Sequence, residues 1–115
     1  MPLDNRELAI RTGEILSAKK AEQVIVLDIA EQSSFADFFV NATAMNERQL
    51  RALSDEVEDQ LAKDGVIPKN IEGKPSSGWI LMDYGDIVVN IFLPQQREMY
   101  QIEKIWGDGE SIAIE

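Results

Sequence analysis

The sequence predicts an α/β (α+β) fold: a mixed β-sheet of about five strands with helices over mainly one face. Three observations carry this reading. The apolar run Val24-Ile25-Val26-Leu27 and the segment Phe38-Phe39-Val40 read as buried strands. Leu50, Leu53, Val57 and Leu61 recur at helical spacing. Two apolar segments, 79–83 and 86–93, flank Tyr84-Gly85 as the strands of a hairpin flank a tight turn. Helix, two strands, helix, hairpin, helix and a short strand is the order of a layered domain built on a mixed sheet.

Residues 4–20 read as the first helix. Asp4 is its N-cap, Glu7 follows three residues later, and Leu8, Ile15 and Leu16 form a partial apolar stripe interrupted by Gly13. Residues 23–30 read as a strand buried on both faces, Ser33-Ser34 as part of a turn, and 38–44 as a second strand. The central helix spans 47–63. Asn46 caps it, Gln49 answers three residues on, and Gly65 stops it. Arg48, Arg51, Asp55, Glu58 and Asp59 fall on its polar side, with Glu47 and Arg51 spaced to pair. Residues 65–78 contain Gly65, Pro68, Gly73, Pro75, Ser76, Ser77 and Gly78, the composition of a long connection, with a short strand around Ile71. Pro94 opens a last helix whose buried stripe is Met99, Ile102, Ile105 and Trp106, ended by Gly107. Residues 111–115 alternate as a final strand does.

A chain of 115 residues has the length of one domain, 1–115. It contains no Cys and no His. Thiolate or imidazole metal sites, cysteine nucleophiles and a Ser-His-Asp triad are therefore excluded. With 21 acidic and 11 basic residues the net charge is -10. Phosphate binding needs clustered cations, so direct nucleic-acid binding is not expected, and a basic protein is the better-matched partner. Acidity also serves plain solubility. The polar start, Met1 to Glu7, lacks a secretory apolar stretch, and no run approaches the ~20 residues of a membrane span. The expected location is cytoplasmic.

The hairpin carries the most informative chemistry. Ile80, Met82 and Tyr84 share a face with Ile87, Val89 and Ile91, which should pack under the helices. The opposite face holds Trp79, Leu81 and Asp83 with Val88, Asn90 and Phe92. Large apolar groups beside a few polar ones suit either a docking surface or a second buried layer. Catalytic patterns are thin. Asp28, Asp37, Asp83 and Asp86 are candidate strand-end carboxylates, but no Asp-x-Asp pair occurs. Gly73-Lys74-Pro75-Ser76 places Pro where a phosphate loop needs an N–H. Gly107-Asp108-Gly109-Glu110 lacks the ligand spacing of a calcium loop. No cofactor and no metal are expected.

The assembled motifs resemble the ribosomal silencing factors, the Iojap family, over residues 19–108. The resemblance runs through Lys19-Lys20-Ala21-Glu22-Gln23-Val24-Ile25-Val26-Leu27-Asp28, Ser33-Ser34-Phe35-Ala36-Asp37-Phe38-Phe39-Val40, Asn46-Glu47-Arg48-Gln49 and Ile71-Glu72-Gly73. It continues through Gly78-Trp79-Ile80-Leu81-Met82-Asp83-Tyr84-Gly85-Asp86-Ile87-Val88-Val89-Asn90-Ile91-Phe92 and from Arg97 to Asp108. Asn90 stands where the family usually carries His; Asn hydrogen-bonds but does not titrate near neutrality. The resemblance implies a nucleotidyltransferase-like fold without its catalytic residues. It implies binding to the large ribosomal subunit through its fourteenth ribosomal protein, steric exclusion of the small subunit, and lower translation under nutrient limitation. It also implies a homodimer when free. Trp79, Leu81, Asp83, Tyr84 and Asn90 are the expected partner-binding residues. The competing readings are a nucleotidyltransferase-like enzyme and a dimeric scaffold for another complex.

Overall fold

The central helix forms where its capping residues place it. In a computed structural model, which describes residues 4–30, 36–100 and 110–112, α2 spans Glu47–Lys63. The Asn46 side chain accepts from the Gln49 backbone N–H at 2.8 Å, and the Gln49 side chain accepts in turn from Met45 N–H at 2.7 Å. At the other end Gly65 N–H donates to the Ala62 carbonyl and Val66 N–H to the Leu61 carbonyl. This is the paired closure that a left-handed residue after the helix permits, and Gly65 has φ of +80°. The first helix, α1, spans Asn5–Ala18 and starts on Asp4, which accepts from Glu7 N–H. Gly13 does not interrupt it, and lies on its buried side with Leu8, Ala9, Thr12, Ile15 and Leu16.

The strands are β1 (Glu22–Asp28), β2 (Phe38–Thr43), β3 (Asn70–Lys74), β4 (Trp79–Asp83), β5 (Ile87–Phe92) and β6 (Glu110–Ile112). A short helix α3 spans Pro94–Tyr100. The sheet order is β3-β4-β5-β2-β1-β6. Among the described residues only β2 and β5 pair in parallel, in the middle, and every residue of both is buried. The mixed α+β sheet is the predicted class, with the small β6 as its sixth strand.

Two helices share one face. Leu8, Leu16, Leu50, Leu53, Val57 and Leu61 meet Val26, Val40, Ala42, Ile80, Met82, Val89 and Ile91 in one apolar cluster. The hairpin alternation is as predicted, because Ile80 pairs with Ile91 and Met82 with Val89. Leu27, Ile29, Ala36, Phe39 and Val88 form a smaller cluster on the other face.

Three expectations change. The first half of β1 is not buried on both faces: Glu22 and Gln23 are exposed, and the burial begins at Val26 and Leu27, where β6 pairs with it. The 65–78 segment is not mainly loop. It supplies edge strand β3, the strand expected around Ile71, and a 3-10 turn at Pro75–Ser77. Arg51 pairs with Asp55 at 3.8 Å instead of with Glu47. The predicted positions Ser33, Ser34, Ile102, Ile105, Trp106 and Gly107 lie outside the described residues, as do 113–115.

Gly73 and Gly65 provide a paired test. Gly73 has φ of +88°, and a Cβ there would collide with the Trp79 carbonyl oxygen across the β3–β4 ladder. A Cβ on Gly65 meets open space. Gly65→Ala should cost about 1 kcal/mol, the penalty of a left-handed residue alone. Gly73→Ala should cost at least ~2 kcal/mol, because strain and a backbone clash add. Urea denaturation of the two variants measures the difference, and equal losses would contradict the clash.

Candidate docking face

The strands present a row of side chains opposite the helices. Paired residues project to the same side of a sheet, so Trp79 stands beside Phe92, Leu81 beside Asn90, and Asp83 beside Val88. The parallel β2–β5 register carries these rows on to Thr43, Asn41 and Phe39. Across the middle this face is closed, with Phe39, Asn41, Thr43, Val88, Asn90 and Phe92 all buried. Towards the β3 edge it opens. Trp79, Leu81 and Asp83 are half-buried, and all five residues of β3 are exposed.

Trp79 is held from two directions. Its ring stacks on Phe92 with centroids 5.3 Å apart and planes at 25°. Its indole N–H donates to Asn90 Oδ1 at 3.1 Å. Asn90 Nδ2 donates onward to Asn41 Oδ1, also at 3.1 Å. A shallow groove of about 220 Å³ runs along the exposed side of Trp79 and Leu81, bounded by Glu72, Gly73 and Ser77. Asp83 Oδ1 accepts from Gly85 N–H at 2.8 Å and so helps close the hairpin turn, where Gly85 has φ of +92°. A second cleft of about 250 Å³ joins Asp83 to Lys69, Gly85, Asp86 and Val88.

The five expected partner-binding residues therefore do not form one patch. Trp79, Leu81 and Asp83 lie in a line on the open part of one face. Asn90 belongs to the same face but lies beneath, 1% exposed, and is bonded to the indole N–H of Trp79. Tyr84 packs instead against the helix-side core, as the strand alternation predicts. Burial raises its phenol above the ordinary tyrosine range, and the Glu58 charge adds to the effect. Its hydroxyl has no hydrogen-bond partner among the described residues.

Three of the four candidate carboxylates, Asp28, Asp37 and Asp83, accept structural hydrogen bonds. Asp28 accepts from Ala30 N–H and lies 3.9 Å from Arg6, while Asp37 accepts from Asn5 Nδ2 at 3.1 Å. Among the described residues no three acidic side chains gather as a metal site, and no helix is long and apolar enough to cross a membrane. Sequence reasoning missed Asn41 and Arg97. Arg97 is buried and donates from Nη1 to the Gln23 carbonyl at 2.7 Å and to Thr43 Oγ1 at 2.8 Å. A signal for Asn41 was present: Phe-Phe-Val-Asn-Ala-Thr and Ile-Val-Val-Asn-Ile-Phe carry Asn at the same place in two buried strands, and a buried amide needs a partner.

The architecture defines the class first, an α+β domain on a mixed sheet. A crystal structure of a protein from Chromobacterium violaceum superposes with TM-score 0.87 at 33% identity, covering 97% of this chain and 92% of that one. The model of the family described as "Ribosomal silencing factor during starvation" matches residues 2–115. A ribosomal silencing factor from Halalkalibacterium halodurans is 34% identical over 98% of this chain and 97% of its own length. One from Bacillus subtilis is 37% identical over 79% and 77%. The chain belongs to the ribosomal silencing factor family.

Tyr84→Phe separates the two faces. It removes a buried hydroxyl that lacks a partner, so stability below pH 9 should stay within about 0.5 kcal/mol of the parent or rise. A phenol whose folded pKa is raised stabilises the fold fully below the unfolded value. That contribution begins to be lost as pH passes about 10, the unfolded value, and goes on being lost up to the raised folded value. The parent should therefore lose thermal stability above about pH 10 more steeply than Tyr84→Phe. Parallel pH curves for the two proteins would contradict the burial of Tyr84.

Proposed function

We propose that this chain is a translational repressor. It binds the large ribosomal subunit through its fourteenth ribosomal protein and sterically blocks association with the small subunit, lowering translation when nutrients are scarce. The observation that carries the reading is family membership along nearly the whole chain, with relatives named ribosomal silencing factors. The choice of subunit and of ribosomal protein follows what the sequence resemblance implies.

The geometry supports this reading with a docking strip. Trp79 and Leu81 offer apolar area on a rigid sheet, in the way that aromatic anchors serve protein interfaces. Asp83, with a chain charge of -10 behind it, suits a Lys or Arg of a basic ribosomal protein. The mechanism is occupancy. A domain with principal extents of 34 × 32 × 27 Å, seated where two subunits must meet, excludes one of them without any chemical step.

The test is sedimentation of the purified chain with large subunits, with small subunits, and with both during subunit joining. Binding to large subunits and fewer joined ribosomes are expected; binding to small subunits alone overturns the reading. Trp79→Ala should weaken large-subunit binding by about 30-fold, the loss of a buried aromatic anchor worth ~2 kcal/mol. Asp83→Asn keeps an oxygen for Gly85 N–H but removes the charge. It should weaken binding by less, with the difference shrinking as salt rises. Parent-like binding by both variants would remove this strip from the interface.

A further inference from the structure

Two asparagines stand side by side at the centre of the sheet, Asn41 on β2 and Asn90 on β5, in parallel register. Asn41 is 0% exposed and Asn90 1%. Each interrupts a buried strand, and a buried carboxamide is costly unless its hydrogen bonds are made. Chemistry fixes the direction of the bonds between them and Trp79. An indole N–H only donates, so the Asn90 oxygen must be the atom that faces it. The Asn90 amide nitrogen then points the other way, to Asn41 Oδ1 at 3.1 Å.

The geometry points to an Asn41–Asn90 relay that sets the orientation of Trp79 before a partner arrives. Asn41 and Asn90 are positioning residues, and Trp79 is the residue that makes contact. This inference rests on the docking role of Trp79 proposed above. Stacking on Phe92 fixes the plane of the indole ring, but an offset stack tolerates sliding and a ring flip within that plane. The N–H bond to Asn90 removes that freedom, because only one ring orientation aims the nitrogen at Oδ1. Asn90 is itself a rotatable amide, and the bond to Asn41 fixes its turn. The exposed edge of Trp79 beside the groove of Glu72, Gly73, Ser77 and Leu81 is thereby a single shape. An anchor ordered in advance spares the complex the entropy of ordering it on binding, an advantage of about fivefold in affinity.

The experiment uses the full chain, ¹⁵N-labelled, with Asn41→Leu, Asn41→Asp, Asn90→Leu and Trp79→Ala. The Trp79 indole N–H resonance is identified by its loss in Trp79→Ala. Its exchange with solvent and the affinity for purified large subunits are measured on the same samples, after each variant is shown to unfold cooperatively. Asn41→Leu should speed indole exchange about tenfold and weaken binding about fivefold, the scale of one neutral hydrogen bond. Asn41→Asp keeps an acceptor oxygen for the Asn90 amide and should bring both values back towards the parent. A purely structural role for Asn41 would lower stability without moving the indole exchange. A folded Asn41→Leu with parent-like indole exchange, or with faster exchange and unchanged affinity, overturns the relay. Should Asn41→Leu not fold, Asn90→Leu gives the same comparison, with the same outcomes expected and excluded. If parent and Trp79→Ala bind large subunits equally, the docking role fails, while indole exchange still decides whether the relay orders the ring.

Discussion

The parallel pairing of β2 with β5 is the constraint on which the remaining structure depends. The two strands are buried along their whole length and occupy the middle of the sheet. Parallel neighbours cannot be joined by a tight turn; the chain must leave, cross and return. Here the crossing is made by α2, which lies over the sheet, and the return by β3 and β4, which extend it. One pairing thus decides which face α2 covers, where β4 comes to lie, and that Asn41 meets Asn90. A slip of one residue in either strand would turn its asparagine into the hydrocarbon cluster beneath the helices and its valine, Val40 or Val89, away from it, so the register is strongly specified.

The two faces of this sheet solve different problems. Beneath α1 and α2 the packing is almost wholly aliphatic, which supplies burial without directional demands. The opposite face contains Asn41, Asn90 and Thr43 in its buried part, together with Arg97 reaching across from α3. Gln23 explains where Arg97 goes. It sits in a β-bulge with φ of +50°, between the paired positions Glu22 and Ile25, and such a bulge takes a carbonyl out of the regular ladder. The Arg97 guanidinium satisfies that carbonyl and ties the first helical turn after β5 to the far side of the sheet. Directional bonds of this kind add little net stability individually, but they leave few alternative packings for the groups they join.

Much of this was legible in the chain because the local signals agree with the tertiary solution. The caps Asp4 and Asn46, the stop at Gly65 and the Leu50-Leu53-Val57-Leu61 stripe act within a few residues, and each element formed where they placed it. The hairpin faces were legible for the same reason, since an even-numbered turn preserves alternation. What could not be read depends on contacts distant in sequence. The short strand read around Ile71 forms as β3, but the ladder to β4 that extends it over Asn70–Lys74, in a segment rich in Gly and Pro, gave no local signal. Trp79, Leu81 and Asp83 could be assigned to one face, but their degree of burial depends on what closes the centre of that face. The burial of Asn90 could not be settled locally, because its strand partner, Asn41, is 49 residues away. Arg97 gave no signal either, because the carbonyl it satisfies is exposed by a bulge 74 residues earlier.

The position of the open strip also constrains how a partner can engage it. An edge strand with free backbone groups invites pairing by another chain, which would give affinity with little selectivity. Here the edge is β3, and it is poorly suited to that use. Pro68 and Pro75 flank it, Lys69 and Lys74 place charge at both ends, and Gly73 takes a left-handed conformation that breaks the extended run. The features that make β3 a poor template leave its neighbour β4 reachable from the face, with Leu81 and Trp79 lying behind Glu72 and Lys74 in the paired rows. A partner approaching this end of the sheet meets oriented side chains before it meets an unpaired ladder. Recognition at the proposed strip would rest on the shape of the Trp79–Leu81 groove and the sign of the charge at Asp83, both of which discriminate between partners in a way that backbone pairing does not.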